Sequence, residues 1–432
     1  MAGDSLHIQK TSNFPISIDI FKIAIVAIVI AGSVYYFNMA FLPENFIKIA
    51  HFSTLAIIFV VILFQEIYWK NPLERHHFTL PIVFILIGVF LSMITAYADH
   101  DQSFLISLWA QRFMYFYLFY FALHVIRLDA NTIEKILFTT GIIYALAFLI
   151  QYFAFPRVLF NVRLGLERGT IRIFIPGLTF LYLAYFRSLT RVIYDNSLRQ
   201  LPYLFLFLVI FILSGTRSII AGPAIVTFGI LIFSNRIKSK ALIMVLIIAM
   251  LTASYYMFEE IIQNLLSLSQ EQTNRANQDI RIRAAKFFLT DFFPDNIAYI
   301  TGNGEGHQAS NFGLKILSYK LNYGYYQSDI GFLGEYIKFG VFLILGAAVL
   351  FYRGIFQRLN SKYLYIRYFL ILLLISTPLG MFFTTSHSIT TLCLVMYLID
   401  KQKNNQKKKK KHPIVYFPEL EQSSQQVLIT KH

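Results

Sequence analysis

The sequence is a succession of apolar runs, each long enough to cross a lipid bilayer as a helix. We identify about twelve such runs of roughly 17 to 25 residues, and a helix needs about 20 apolar residues to span the hydrocarbon core. A backbone in lipid must satisfy its own hydrogen bonds, so the runs are predicted to be helical. The sequence thus predicts an all-α polytopic membrane protein. The predicted spans cover approximately 18–41, 47–68, 78–98, 104–126, 133–155, 171–187, 201–214, 217–234, 241–258, 330–352, 364–381 and 384–400.

Composition excludes several other classes of protein. Of the 432 residues, 56% are hydrophobic and 14% are charged, which is not the composition of an ordinary soluble domain or of a disordered chain. Cys393 is the single cysteine, so neither a disulfide framework nor a thiolate metal site is expected. The net charge of +15 comes mostly from short loops and a run at Lys407–Lys411. This distribution indicates membrane orientation and not a nucleic-acid partner.

The distribution of lysine and arginine also predicts the topology. Basic residues in the short loops place both termini in the cytoplasm, with 1–258 holding the first nine helices and 330–400 the last three. Residues 259–329 then form one large extracytoplasmic loop, and 401–432 form a basic cytoplasmic tail. Within the loop, Gln278 to Thr290 has the spacing of an amphipathic helix that ends before Pro294.

Several arginines on the predicted outer side are exceptions to this charge bias. Arginine matches phosphate oxygens in a bidentate manner, so these residues predict a site for a multiply charged anion at the outer membrane surface. Pairing with acidic side chains or lipid headgroups is the alternative explanation. The predicted outer cations are Arg157, Arg163, Arg168, Arg172, Arg217, Arg275, Arg281, Arg283 and Lys286.

A glycine run, Gly302-Asn-Gly304-Glu-Gly306, follows in the large loop. A nucleotide-binding loop needs a preceding strand and a following helix, and neither is predicted here. Gly302 and Gly304 are instead expected to form a tight turn that brings the backbone close to substrate or to a neighbouring span.

Asp329 and His307 are the candidates for proton transfer in a reaction at a hydroxyl group. Asp329 precedes a predicted span, so capping that helix is its alternative role, and His307 has the alternative of an ordinary loop histidine. His387 and Arg112 are also open: Arg112 belongs either to a substrate path or to an ion pair. No His or Asp cluster with ligand spacing occurs on the outer side, so no metal and no cofactor are predicted.

Four motifs, in this order, resemble those of the O-antigen polymerase and O-antigen ligase superfamily of bacterial membrane glycosyltransferases. The motifs are Arg168-Gly-Thr-Ile-Arg172, Ser214-Gly-Thr-Arg217-Ser218, Arg281-Ile-Arg283 followed by Pro294 and Gly302-Asn-Gly304, and Ser328-Asp329-Ile-Gly331. Many members carry a His-Asn pair before the span after the loop, where this chain has Gln327-Ser328-Asp329. A histidine base therefore has no counterpart at that position, and Asp329 stands in its place.

The resemblance implies metal-independent, inverting glycosyl transfer on the outer face of a bacterial inner membrane. The implied donor is a polyprenyl-diphosphate-linked oligosaccharide, and membrane lipid and a chain-length regulator are the further implied partners. We interpret the chain as a polymerase of O-antigen or capsular repeat units. The alternatives are a ligase that transfers glycan to lipid A core and, in a different class, a flippase or exporter of the lipid-linked oligosaccharide.

Overall fold

The computed structural model describes residues 16–68, 76–160, 164–167, 170–233 and 279–411, together with single residues at 245, 252 and 263. This part of the chain is predominantly helical, with one short pair of strands. The helices are α1 (Ile16–Ser33), α2 (Glu44–Tyr68), α3 (Thr79–Ala98), α4 (Phe104–Ala110), α5 (Phe119–Ile126), α6 (Ala130–Ala154), α7 (Leu178–Asp195), α8 (Leu201–Leu213), α9 (Arg217–Phe233), α10 (Ile280–Thr290), α11 (Ala298–Thr301), α12 (Asn311–Tyr323), α13 (Phe332–Ile355), α14 (Leu364–Ser376) and α15 (Ser386–Lys411). The strands are β1 (Leu164–Glu167) and β2 (Thr170–Ile173).

Four of these helices are long and apolar enough to cross a membrane, namely α2, α3, α6 and α13. Shorter apolar helices occur at 112–126, 198–213 and 217–233. These helices support a membrane protein, as the sequence predicts. The total of twelve spans stays a prediction, and the predicted span 241–258 lies almost entirely outside the described residues, as do most of 259–278 and all of 412–432.

The helix ends collect at two opposite ends of the molecule. At one end, which we call the loop end, the Ser386 hydroxyl donates to the Ser33 carbonyl (2.7 Å), and the Gln102 amide donates to the Glu305 carbonyl (2.9 Å). The first bond joins the end of α1 to the start of α15, and the second joins the α3–α4 connection to the segment after α11. The loop end is the side that the sequence predicts to be extracytoplasmic.

The opposite end, which we call the tail end, contains the helix termini that precede the C-terminal tail. There the Tyr397 hydroxyl donates to the Leu128 carbonyl (2.6 Å), and Lys362 forms an ion pair with Glu134 (3.2 Å). The start of α6, the start of α14 and the second half of α15 therefore lie together. Successive helices thus run between the two ends in alternating directions, as expected of a polytopic protein.

Three predicted spans differ from the observed elements. The span predicted at 18–41 ends as a helix at Ser33, and 104–126 is divided into α4, a 3-10 helix at Arg112–Leu118 and α5. The start of 171–187 is not helical, because β2 pairs with β1 in antiparallel register from Leu164↔Ile173 to Glu167↔Thr170. The predicted all-α class is confirmed, and this short hairpin is a local exception to it within the described residues.

A small hydrophobic core outside the main helix packing supports the segment between α10 and α13. Ala284, Phe288 and Phe312 are buried in it, together with Ile337 from the start of α13. The predicted amphipathic helix is present as α10, and the Asp279 carboxylate caps it by accepting from the Arg281 backbone N–H (2.8 Å). This core holds α10, α11 and α12 against the loop end of α13.

Candidate active site

A cavity of about 310 Å³ opens at the loop end between α6, α7, α8, α9 and α15. Its walls are mostly apolar, and its side-chain polar groups are the Tyr144 and Ser214 hydroxyls and the His387 imidazole. Apolar pockets with a few polar groups are the usual form of a small-molecule site. The lining residues are Tyr144, Phe148, Ile173, Phe174, Ile175, Pro176, Leu178, Leu181, Ile210, Ser214, Ile219 and His387.

His387 lies in the first turn of α15 and lines this cavity. Its Nδ1 atom is buried and has no hydrogen-bond partner among the described residues, and the same holds for the hydroxyl of Thr385 two residues earlier. A buried polar atom without a partner costs about 1–3 kcal/mol, so such atoms call for a functional explanation. An imidazole nitrogen facing a cavity can accept a proton from a bound hydroxyl group.

Arg217 is the first residue of α9 and lies between two cavity-lining positions of the chain. Ser214 and Ile219, on either side of it in the sequence, both line the cavity. The turn between α8 and α9 is held by the Ser214 hydroxyl, which donates to the Phe211 carbonyl (2.6 Å), and Gly215 adopts a left-handed φ of 59°. The start of a helix also carries partial positive charge, so an anion at this rim is favoured by both Arg217 and the helix.

The β-hairpin brings a second predicted arginine position toward the cavity. Arg172 lies in β2 opposite Gly165, and the residues that follow it, Ile173 to Pro176, form part of the cavity wall. Arg168 and Arg163 lie outside the described residues. The structure thus places the backbone of Arg172 and the start of α9 at the same cavity.

A strained backbone segment borders the site. Tyr35, Tyr36, Phe37 and Asn38 all have φ between 52° and 57°, a left-handed conformation that side chains other than glycine rarely adopt. The Phe37 ring packs edge-on against the cavity residue Tyr144, with ring centroids 6.5 Å apart. Strain of this kind costs about 1–3 kcal/mol for each residue and is concentrated at functional sites.

Arg112 lies near this strained segment, at the start of the 3-10 helix between α4 and α5. Its guanidinium stands 4.4 Å from the centroid of the Phe113 ring and donates to the Trp109 carbonyl (3.0 Å). No ion pair of Arg112 occurs within the described ranges. Of its two predicted roles, the ion pair therefore has no support in the described structure.

A second group of predicted residues surrounds α10. Arg281 and Arg283 are exposed on this helix, which packs against the 3-10 turn Gln327–Ile330 that contains Asp329. The Asp329 carboxylate is exposed and accepts from the Ser328 hydroxyl (3.3 Å). Because α13 begins three residues later, after Gly331, Asp329 does not cap that helix, and the capping alternative is wrong.

His307, Gly302 and Gly304 serve in packing the segment after α11. The His307 Nδ1 atom accepts from the Ala309 backbone N–H (3.1 Å), and the His307 backbone N–H donates to the Gln102 side chain (3.0 Å). Gly304 donates its backbone N–H to the Lys338 carbonyl of α13 (2.8 Å). The glycine run therefore approaches a neighbouring helix, which is one of its two predicted purposes.

The predicted site residues thus lie in separate parts of the structure. Chain neighbours of Arg217 and Arg172 line the cavity, and so does His387, which the sequence left open. Arg281, Arg283 and Asp329 lie around α10, as described above. The only sequence signal for His387 is a histidine in the first turn of an otherwise apolar final run.

No protein-family model matches this chain, and a search of curated proteins finds no significant match.

Proposed function

We propose that this chain is a membrane glycosyltransferase that polymerises oligosaccharide units carried on polyprenyl diphosphate. Its active site is the cavity beside Arg217 and His387. The observation that carries the proposal is the composition of this cavity: apolar walls and a buried imidazole nitrogen with no partner in the described chain, beside a helix that begins at Arg217. A substrate with an apolar chain, a diphosphate and a sugar hydroxyl has a matching group for each of these features.

The donor binds with its diphosphate at the rim. Arg217 and the N-terminus of α9 supply positive charge there. The hydroxyl oxygen of the acceptor sugar attacks the anomeric carbon of the donor, and the bond from that carbon to the diphosphate oxygen breaks. Charge grows on the departing diphosphate during this step, and fixed cations stabilise it more in the transition state than in the ground state.

His387 accepts the proton that the attacking hydroxyl loses. It replaces Asp329 and His307, the bases expected from the sequence, because it alone of the three lines the cavity. The Asp329 carboxylate is exposed to solvent, and the Nδ1 atom of His307 already accepts a backbone hydrogen bond. Attack from the face opposite the leaving diphosphate inverts the anomeric configuration.

A second cationic surface favours a polymerase over transfer to an uncharged acceptor. Arg281 and Arg283 are exposed on α10, away from the cavity lining. In a polymerase the acceptor also carries a diphosphate, so two separate cationic positions are needed. We assign the donor to the cavity rim and the acceptor diphosphate to α10, on the outer face of a bacterial cytoplasmic membrane.

Purified full-length protein incubated with a prenyl-diphosphate-linked repeat unit tests this function. We expect a ladder of glycan lengths with release of free prenyl diphosphate, with or without added Mg²⁺. Transfer only to lipid A core would favour the ligase alternative. If no product forms and the same lipid crosses the membrane of proteoliposomes, the protein is an exporter and the proposal is wrong.

A further inference from the structure

Three potential metal ligands meet at the tail end, far along the helices from the cavity. They are His76, just before α3, His124 of α5 and Asp400 of α15. One ligand atom from each lies within 4.8 Å of the other two, and all three residues are at least half-buried. The sequence predicts no metal site, since it has no ligand cluster on the outer side, and this group comes from three separate elements at the opposite end.

The distances between these atoms suit a shared cation. The His124 Nε2 atom lies 3.2 Å from the Asp400 Oδ2 atom. Two ligands of a tetrahedral zinc ion, each about 2.0–2.1 Å from the metal, are separated by about 3.3 Å. The His76 and His124 rings are stacked with centroids 3.6 Å apart.

The hydrogen bonding of the group is incomplete without a further ligand. The Asp400 Oδ1 atom is buried and has no hydrogen-bond partner among the described residues. The other carboxylate oxygen, Oδ2, accepts from the Tyr120 hydroxyl. A ligating carboxylate that also receives a hydrogen bond is the usual arrangement around a metal, because the outer partner fixes the orientation of the ligand.

We infer that His76, His124 and Asp400 bind a divalent transition-metal ion, with zinc as the best match. Two imidazoles and one carboxylate are the ligand types that zinc prefers, whereas magnesium and calcium take oxygen ligands. A water molecule completes the tetrahedron. The bound ion ties the second half of α15 to α5 and to the residues before α3, so its role is to hold the last helix in place at the tail end.

Metal content of the full-length protein tests this inference directly. Protein stripped with a chelator, reloaded with Zn²⁺ and passed through a desalting column should retain about one ion per chain by mass spectrometry. His124→Gln and Asp400→Asn should each reduce retention at least tenfold. His77→Ala is the matched control, because His77 is adjacent to His76 but contacts Lys403 through its Nδ1 atom (2.9 Å), and it should retain the ion.

A second readout keeps the test valid when a variant folds poorly. Co²⁺ in place of Zn²⁺ should give the visible absorption of a tetrahedral site in the wild type, and Zn²⁺ should raise its thermal midpoint. Both effects should be absent from folded His124→Gln or, where that variant is not monodisperse, from His76→Gln. Wild-type protein that retains no more Zn²⁺ than these variants would overturn the inference, as would equal loss in His77→Ala.

Discussion

Gly302 and Gly340 face each other at the point where the segment after α11 meets an interruption in α13. Both have positive φ, 78° and 67°, and Gly340 is non-helical although it lies inside α13. The carbonyls of Ile337 and Lys338, just before the interruption, accept the backbone N–H groups of Asn303 (2.9 Å) and Gly304 (2.8 Å). A broken helix is tolerated in a membrane protein when neighbouring groups satisfy its freed backbone, and residues 303–304 do so here.

Gly340→Ala is expected to lower stability by about 1–3 kcal/mol or more, since it adds a Cβ to a left-handed residue with no free space. That Cβ would lie 2.7 Å from the Gly302 nitrogen. The midpoint of thermal unfolding in detergent measures the effect. Gly229→Ala is the control, because nothing lies within 4 Å of its added Cβ, and it should be neutral or slightly stabilising. Equal midpoints for the two variants would contradict the assigned contact.

Lys338 and Glu305 form an ion pair (2.6 Å) beside the same interruption, and Lys338 is the more buried partner. Glu305→Gln leaves the buried ammonium without its carboxylate, so we expect a loss of about 1–3 kcal/mol. Adding Lys338→Met should restore part of that loss, because the second change removes the unpaired charge. A double-mutant cycle on unfolding midpoints measures the coupling.

The exposed pair Lys48–Glu44 provides the comparison for this cycle. An i,i+4 pair on a solvated helix surface contributes at most about 0.5 kcal/mol, so Lys48→Met should change stability little. A coupling at Lys338 no larger than this value would mean that the ion pair does not stabilise the packing of the segment after α11.

His100 makes the packing of the segment after α11 sensitive to pH. Its ring stacks on Phe312 with centroids 4.0 Å apart and hydrogen-bonds Asn303 (3.0 Å). Burial lowers the pKa of His100, while the bond to Asn303 opposes the shift. The unfolded histidine, with a pKa of about 6.5, takes up its proton first as pH falls. Stability is therefore unaffected at high pH and decreases as pH falls below about 6.5.

Hydrogen exchange at residues 302–313, corrected for intrinsic rates, measures this effect. We expect faster exchange at pH 5 than at pH 7.5 in the wild type. His100→Gln removes the titrating group, so the difference between the two pH values should shrink in that variant. An unchanged difference would show that His100 is not the source of the pH response.

Local sequence signals predict those parts of the fold that depend on local interactions. Helix α10 follows from its apolar spacing and from Asp279 as a cap, and the four long apolar helices follow from length and hydrophobicity. The predicted span 171–187 is extended at its start, where Ile171, Ile173 and Phe174 form an apolar run that is compatible with either a helical or an extended backbone. Pairing with β1, a tertiary interaction, decides between the two conformations.

The interruption of α13 could not be predicted for a similar reason. Gly340 occurs within a run of apolar residues that is compatible with an unbroken helix, and the groups that compensate for its break lie at Asn303 and Gly304. The cavity and the tail-end ligand group likewise join residues from several helices. Spacing along one element carries no information about contacts between different helices. The sequence alone therefore does not identify His387 as a base or Asp400 as a metal ligand.

Arg281 and Arg283 should affect the acceptor more than the donor if α10 binds the acceptor diphosphate. Replacing both with alanine is expected to raise the KM for the acceptor at least tenfold with a smaller change in kcat, since a uniform binding contribution is lost. Lys315→Ala is the control, because Lys315 is exposed on the neighbouring helix α12. Equal effects on donor and acceptor would place both diphosphates at one site.

Arg217 and His387 should affect the chemical step itself. Arg217→Ala removes a cation from the departing diphosphate and is expected to lower kcat about 10²–10³-fold. His387→Asn removes the proposed base and is expected to lower kcat about 10²–10⁴-fold. Arg157→Ala, an exposed arginine at the same end, is the matched control and should retain activity within about twofold.

The variant Asp329→Asn separates the two candidate bases. The wild-type Asp329 carboxylate is exposed and lies outside the cavity lining, so kcat of Asp329→Asn should change little. In contrast, His387→Asn should lower kcat and also remove the acidic limb of the pH–rate profile. A large loss of kcat in Asp329→Asn with normal turnover in His387→Asn would return the base to Asp329. The reacting hydroxyl would then lie beside α10, because the base must be within hydrogen-bond reach of the proton that it removes.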